Sequence, residues 1–293
     1  MSDQFRSDWW ADEIKAQRSK VAAPAKYVAD YLARMSISDR QIRDNVEFLL
    51  IDVRELIYDN YLLDEARLNT KLMRTLFQSE IPFVRQQLQM TLANLPADLS
   101  GFSRGKVESL IVEGVAQASG ACFAYIQALS TSNTNARRSR AGTTFETLFA
   151  RALSAFSIPF EDQNSLGSQF YSKNNLGKKV DFIVPSAKQY EDLRNKCAII
   201  STKTTLRERW QQVVEELERS NVPHIYLATL GEDVTQNVLT IMKNYNITLA
   251  VPSVVKSRYQ GFHNVVEFQQ FFEELSTTYS AKGTARASLQ LPE

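Results

Sequence analysis

The sequence predicts an α/β protein in which a central mixed β-sheet is flanked by helices and preceded by a helical N-terminal region. Up to about residue 130, apolar side chains recur at three- and four-residue spacing, which is typical of amphipathic helices. After Pro159, short apolar runs alternate with helical patterns. Such alternation favours a parallel or mixed sheet covered by helices.

The N-terminal region is predicted to be a succession of helices. Ser38 is a candidate N-cap, and the apolar positions that follow it have helical spacing, namely Ile42, Val46, Leu49, Leu50, Val53, Leu56 and Ile57. Further helices are predicted at residues 64–78, 81–93 and 105–129. The polar residues 130–139 lack apolar periodicity, so we expect a loop lying against a partner.

The second half is predicted to begin with a helix whose apolar face carries Phe145, Leu148, Phe149, Ala152, Leu153 and Phe156. Strands are predicted at residues 180–184, 197–202, 224–230 and 247–251, with helices at 206–219, 233–244 and 265–275. These patterns divide the chain into a helical region (1–130), a core (131–276) and a flexible tail (277–293).

The composition is that of an ordinary globular protein, with 293 residues, 44% hydrophobic and 23% charged. The net charge is +1, but residues 136–219 hold 14 Lys/Arg against 10 Asp/Glu, so cations can concentrate in one cleft. Two cysteines without CxxC spacing and two histidines argue against a structural zinc site or a histidine-rich metal site. The N-terminus lacks a basic-then-apolar signal and no apolar run approaches 18 residues, so we expect a cytoplasmic protein.

Three charged residues suggest a catalytic site. Asp181 and Lys203 lie at the polar ends of two apolar strands, and an antiparallel hairpin would place them side by side; Glu216 follows 13 residues later on a helix. Carboxylates that hold a divalent cation, with a lysine beside them, are what metal-dependent phosphodiester hydrolysis requires. The alternatives are a strand-end aspartate that caps a turn, a surface lysine, and a solvated helix face at Glu215 and Glu216.

The same residues carry a family resemblance. Asp181, Ser201-Thr202-Lys203 and Glu216 match an Asp…Ser/Thr-x-Lys…Glu motif, and residues 139–146 match Ser-Arg-x-Gly-x-x-x-Glu. Over residues 137–220 the chain resembles the PD-(D/E)XK nuclease superfamily, within it the type II restriction endonucleases of the SsoII, PspGI, EcoRII and NgoMIV group. It departs at Val180, where the motif has proline.

The resemblance implies a PD-(D/E)XK restriction-endonuclease-like core and a role for each motif residue. Asp181 and Glu216 would be Mg²⁺ ligands, Glu146 an auxiliary acid, and Lys203 the residue that positions water and phosphate. Glu146 also has a structural explanation, because Thr143-x-x-Glu146 has the form of a capping box.

A candidate element for reading DNA sequence is Arg207-Glu208-Arg209, at the start of the helix that carries Glu216. Arginine pairs bidentately with guanine and glutamate accepts from cytosine, so the triplet suits adjacent G·C pairs. In the resembled group an equivalent triplet reads the CC/GG half-site, which implies a CCNGG-like target. The alternative is a solvated first helical turn.

Candidate DNA contacts are predicted outside this element as well. Tyr58, with Arg54 on the same helix face, is a candidate for stacking on a flipped central nucleotide, although an ordinary packing tyrosine is the alternative. Candidates for backbone or minor-groove contact are Arg54, Asn133, Asn135, Arg137 and Arg138.

The resemblance implies a homodimeric or tetrameric enzyme that acts on double-stranded DNA with Mg²⁺, cuts 5′ of the outer cytosine, and works beside a cognate methyltransferase in a prokaryotic cytoplasm. Residues 1–130 would then serve dimerisation and DNA contacts, and residues 131–276 catalysis. Two alternatives stay open: a sequence-independent repair or recombination nuclease of the same superfamily, and a non-catalytic DNA-binding module whose acid–lysine cluster is an ion-pair network.

Overall fold

The computed structural model describes residues 3–93, 96, 98, 100–174, 176, 180–206, 210–211 and 225–279. The described chain falls into two compact units, one formed by residues 1–23 and 59–139 and the other by residues 24–58 and 140–293. Residues 24–58 therefore belong with the sheet-containing part of the chain, which the sequence did not predict. The division at residues 130 and 276 stays a prediction.

The helical unit is built from α1 (Asp3–Arg18), α5 (Pro82–Ala93), α6 (Arg104–Ala121) and the adjoining parts of α4 (Arg54–Gln78) and α7 (Phe123–Ala155). Its core is apolar and includes Trp10, Leu72, Leu76 and Val84, all almost fully buried. No single helix in the described part of the chain has the length and apolar composition needed to cross a membrane, although α6 and α7, bent by 77°, pass that test as a pair.

The sheet-containing unit begins with α2 (Pro24–Met35), α3 (Asp39–Asp44) and a π-helical turn (Phe48–Val53). Ser38 is the N-cap of α3, and its side chain and that of Gln41 form a capping box, which confirms the predicted helix start.

The remaining elements alternate between strands and helices. They are β1 (Glu161–Asp162), α8 (Gln163–Lys173), β2 (Phe182–Val184), α9 (Ala187–Asp192), β3 (Ala198–Lys203), β4 (Ile225–Thr229), α10 (Gln236–Asn244), β5 (Ile247–Val251), α11 (Ser253–Lys256), β6 (Val265–Glu267) and α12 (Phe268–Tyr279).

In the part of the chain that the structure describes, six strands form one mixed sheet in the order β1-β2-β3-β4-β5-β6. The β1/β2 and β2/β3 pairs are antiparallel, and β3 to β6 run parallel. This confirms the predicted α/β class and the predicted hairpin, since Phe182 pairs with Ile200.

Side chains of the strands alternate between two apolar layers. On one face Phe182 and Ile200 pack with aromatic residues of α7 and α12, among them Phe149 and Phe272. On the other face Ile199, Leu227 and Leu249 belong to a second cluster. Because strand side chains point alternately to opposite faces, a sheet covered on both sides must be apolar at successive positions.

Several local predictions are wrong. Residues 130–139 are helical within α7. Buried Asn133 hydrogen-bonds to neighbouring helices, and the Thr134 hydroxyl bonds back to the Ser130 carbonyl, so tertiary contacts outweigh the polar composition. Residues 265–267, predicted helical, form β6, and β1 was not predicted.

The Thr143–Glu146 capping box is also wrong. Thr143 lies inside α7, where its carbonyl accepts a hydrogen bond from the Thr147 hydroxyl. A residue within a helix cannot be an N-cap. The structural explanation for Glu146 is thereby removed.

Candidate active site

The β2/β3 hairpin brings Asp181 and Lys203 together. Asp181 precedes β2, and its backbone N–H donates to the Ile200 carbonyl at 3.0 Å, so the antiparallel pairing extends to this residue. Lys203 ends β3, and its Nζ lies 3.1 Å from Asp181 Oδ2. The two residues stand 22 positions apart in the sequence, yet the hairpin register makes them an ion pair.

Asp181 is only 6% exposed, and most of its hydrogen bonds converge on one oxygen. Oδ2 accepts from the backbone N–H of Thr202, from the Thr202 hydroxyl at 3.0 Å and from Lys203 Nζ. The Ser201 hydroxyl lies 3.5 Å away. A buried carboxylate is costly unless it is paired and hydrogen-bonded, and these donors supply that compensation.

The second oxygen of Asp181 has a different environment. Oδ1 lies 3.4 Å from Nε2 of Gln163, the first residue of α8. The same amide nitrogen donates to the Val180 carbonyl at 2.9 Å. Sequence reasoning missed both Gln163 and Thr202; Thr202 stands inside the Ser-Thr-Lys motif, whereas nothing local marks Gln163.

Glu146, on α7, lies near Asp181 and Lys203. Burial and the negative charge of Asp181 both raise the pKa of the Glu146 carboxyl, and the positive charge of Lys203 opposes this. Glu146, Asp181 and Gln163 line a common cleft of about 210 Å³. The structure therefore places Glu146 at the hairpin, as the resemblance implied, although its catalytic role stays a prediction.

The cleft suits a divalent cation. The negative charge of Asp181 disfavours ionisation of Glu146, and a nearby cation would offset that repulsion; Mg²⁺ takes one or two carboxylates plus waters and substrate oxygens. Across the part of the chain that is described, no three His, Cys, Asp or Glu side chains form a metal-binding group. The predicted second ligand, Glu216, lies outside the described residues.

The predicted base-reading residues Arg207, Glu208 and Arg209 also lie outside the described residues. The flanking positions are described: Leu206 is buried, and Trp210 packs against the apolar cluster that contains Leu227. Trp210 is thus a packing residue.

The candidate stacking residue Tyr58 is half-buried near the start of α4. Arg54, one turn earlier, is half-buried as well, and burial lowers the pKa of its guanidinium. Its Nε is buried and has no hydrogen-bond partner among the residues that the structure describes. Tyr61, three residues after Tyr58, is buried, and its hydroxyl donates to the Glu65 carboxylate at 2.9 Å.

The remaining candidate DNA contacts lie on α7. Asn133 is buried and bonds to Arg18 at 2.6 Å and to Asn69 at 3.0 Å. Arg137 pairs with the buried carboxylate of Glu65, its Nε lying 2.8 Å from Oε1. Asn135 and Arg138 are exposed. The structure therefore gives Asn133 and Arg137 partners within the protein, while DNA contact by all four stays a prediction.

Comparison with known proteins places the chain in a family. Residues 102–272 match the family described as EcoRII C terminal. The type II restriction enzyme SsoII of Shigella sonnei is 35% identical over 150 residues, 51% of this chain and 49% of that protein. The type II restriction enzyme EcoRII of Escherichia coli is 29% identical over 135 residues, 45% of this chain and 31% of that protein.

Solved structures have a similar fold. Metal-depleted Ecl18kI in complex with uncleaved DNA superposes with a TM-score of 0.74 at 22% identity, covering 96% of this chain and 90% of that one. The PspGI–substrate DNA complex gives a TM-score of 0.55 at 15% identity, covering 89% of this chain and 95% of that one. The chain spans about half or less of the curated relatives that it matches. Its family match extends over more than half of its own length, and the chain belongs to the EcoRII C-terminal family.

Proposed function

We propose that this chain is a Mg²⁺-dependent type II restriction endonuclease that hydrolyses double-stranded DNA at a short palindromic site. The observation that carries the proposal is the Asp181–Lys203 ion pair beside a cleft that Asp181 and Glu146 line, with Lys203 near enough for its charge to act on Glu146. Two relatives are named type II restriction enzymes, and two similar structures are DNA complexes, which supports the same class of substrate.

The carboxylates of Asp181 and Glu146 line the cleft and attract a cation, and Glu216 is the further ligand in the proposed set. A bound divalent cation offsets the charge that develops on the scissile phosphate and makes a nearby water more acidic. Asp181 presents Oδ1 for this purpose, because Oδ2 is already engaged by Thr202 and Lys203.

Lys203 holds its ammonium at the scissile position. Its Nζ donates to Asp181 Oδ2 at 3.1 Å and to the Thr202 carbonyl at 2.8 Å. A lysine ammonium has three N–H donors, so one is left for the attacking water or for a phosphate oxygen. With a side chain only 16% exposed, the charge acts in a poorly hydrated site where electrostatic stabilisation is strong.

The proposed target is CCNGG-like, with the outer C·G and G·C pairs read by Arg207, Glu208 and Arg209. Cleavage 5′ of the outer cytosine leaves 5′ overhangs. A palindrome is most simply read by two identical protomers, so the proposed assembly is a homodimer, alone or paired into a tetramer. The proposed setting is a prokaryotic cytoplasm in which a cognate methyltransferase protects the host DNA.

Tyr58 is proposed to stack on a central nucleotide flipped out of the duplex. Such a stack contributes about 1–3 kcal/mol, which helps to offset the unstacking. A fluorescent base analogue at the target centre should brighten when the native protein binds. Unchanged emission on binding would remove the flipping proposal and leave the nuclease proposal intact.

The test of the function is incubation of the protein with plasmid DNA and Mg²⁺, followed by mapping of the cut ends. Discrete fragments with ends at CCNGG-like sites are expected. Cleavage without sequence preference would favour a repair or recombination nuclease. Intact plasmid across several sequences and divalent metals would instead point to a non-catalytic DNA-binding module.

A further inference from the structure

The N-terminus of α8 lies next to the start of β2. Glu161 and Asp162 of β1 pair with Ile183 and Phe182, so the residue after β1 is held beside Asp181. Asp162 is the N-cap of α8, and its side chain accepts from the Ser165 backbone N–H at 2.9 Å in a capping box. Gln163 is thus held at its backbone by a strand on one side and, on the other, by the capped first turn of α8, which ends at a kink at Gly167.

The side-chain amide of Gln163 lies near two hydrogen-bond acceptors. Its Nε2 donates to the Val180 carbonyl at 2.9 Å and lies 3.4 Å from Asp181 Oδ1. A primary amide nitrogen has two N–H donors, one for each acceptor. The two oxygens of Asp181 are therefore unequal, since Oδ2 is tightly held by Thr202 and Lys203 whereas Oδ1 has this one long contact among the bonds of the described residues.

The contact with the Val180 carbonyl does not by itself require Gln163. The Tyr171 hydroxyl donates to the same carbonyl at 3.2 Å, so that buried acceptor keeps a partner if the glutamine amide is lost. Asp181 Oδ1 has no such second donor among the hydrogen bonds of the described residues. Loss of the amide therefore affects the orientation of the carboxylate more than the folding of the strand.

We infer that Gln163 is a positioning residue for Asp181 that holds the carboxylate plane so that Oδ1 faces the cleft shared with Glu146. This inference rests on the proposed function, because the orientation of Oδ1 matters only where a cation is bound. Residues that orient a metal ligand typically change metal affinity or activity by about 10- to 100-fold when they are substituted.

The test compares Gln163→Met, which keeps the length of the side chain but has no donor, with Gln169→Met at an exposed position of α8 beyond its kink at Gly167. Mn²⁺ affinity is measured by isothermal titration calorimetry on the protein without DNA, and plasmid cleavage is followed as a function of Mg²⁺ concentration. For Gln163→Met we expect a Mn²⁺ dissociation constant and an Mg²⁺ half-saturation raised about 10-fold or more. Metal-free DNA affinity and the midpoint of thermal unfolding should be unchanged, and Gln169→Met should match the parent.

Gln163→Asn provides a second variant in case the first folds poorly, since its amide is polar but too short to reach both acceptors. It should show the same loss of Mn²⁺ affinity. Parental metal affinity in a folded Gln163 variant would overturn the positioning role while the nuclease proposal stands. A parent protein that neither binds Mn²⁺ nor cleaves DNA would overturn both.

Discussion

Replacing Arg137 by methionine should destabilise the helical unit by about 2 kcal/mol, because it removes the ion-pair partner of a buried carboxylate. The Glu65 side chain is 2% exposed and that of Arg137 is 47% exposed. Two unit charges about 4 Å apart attract by about 4 kcal/mol at an effective dielectric constant of about 20. Because about half of the arginine is hydrated, we take about half of this value.

The pair is best measured by a double-mutant cycle of Glu65→Gln, Arg137→Met and the double variant in urea unfolding. Trp10 is buried in the same unit and reports its unfolding by fluorescence. We expect a coupling energy of about 2 kcal/mol, well above the 0–1 kcal/mol of exposed ion pairs. The Tyr61 hydroxyl, which donates to the other Glu65 oxygen, keeps part of the compensation in the single variants.

Arg138→Met is the matched control, since Arg138 is the exposed neighbour on the same helix. A coupling energy below about 0.5 kcal/mol, or an equal loss in Arg138→Met, would refute the assignment of Arg137 to Glu65. The cycle also separates this role from the predicted DNA contact. A phosphate contact would weaken DNA binding and reduce its salt dependence without changing the stability of the free protein.

Three further predictions concern the pKa of Glu146, the packing around Gly231 and the recognition of bases. First, burial and the charge of Asp181 raise the pKa of Glu146, so the folding free energy that this group contributes becomes less favourable as pH rises from the ordinary carboxyl pKa through the raised one. In metal-free urea unfolding, the unfolding free energy of Glu146→Gln relative to that of the parent should therefore increase over this pH interval. A relative unfolding free energy that decreases with rising pH would contradict this. Second, a Cβ on Gly231 would lie 3.2 Å from the Leu206 amide nitrogen, so Gly231→Ala should lower the unfolding free energy by about 1–3 kcal/mol. A Cβ on Gly261 would meet no atom within 4 Å, so Gly261→Ala should lower it less. Equal losses in the two variants would contradict the steric argument. Third, Arg207→Ala should relax discrimination at one G·C pair by about 1–3 kcal/mol, measured by cleavage of single-substitution target sites; unchanged discrimination would remove the proposed contact.

The sheet was predictable because its strands have simple signals. Each of the strands β2 to β5 is a short apolar run bounded by turn residues, and the hairpin follows from the short excursion between two of them. That hairpin alone placed Asp181 beside Lys203. The two-residue strand β1 is too short to give a periodic signal, and the apolar start of α12 hid the strand β6 before it.

The wrong secondary-structure prediction for residues 130–139 arose because long-range contacts outweigh the local preference of their side chains. Residues 130–139 are rich in Ser, Thr and Asn, which favour turns locally, yet a buried Asn133 and the Arg137–Glu65 pair hold them in a helix. For the same reason the sequence could not distinguish a DNA-contacting arginine from one that pairs with a residue 72 positions away. Gln163 escaped notice because its partners belong to a different strand and no motif marks it.

The central claim is that Asp181, Lys203 and Glu146 act at one metal-dependent cleavage site, and Lys203→Met tests it most directly. Plasmid cleavage at saturating Mg²⁺ is compared with binding of the same DNA in Ca²⁺ for the parent and the variant. We expect cleavage to fall by at least about 10²–10³-fold, the usual cost of removing one preorganised donor, while DNA binding is retained. Cleavage within about 10-fold of the parent, at unchanged DNA affinity, would contradict the account.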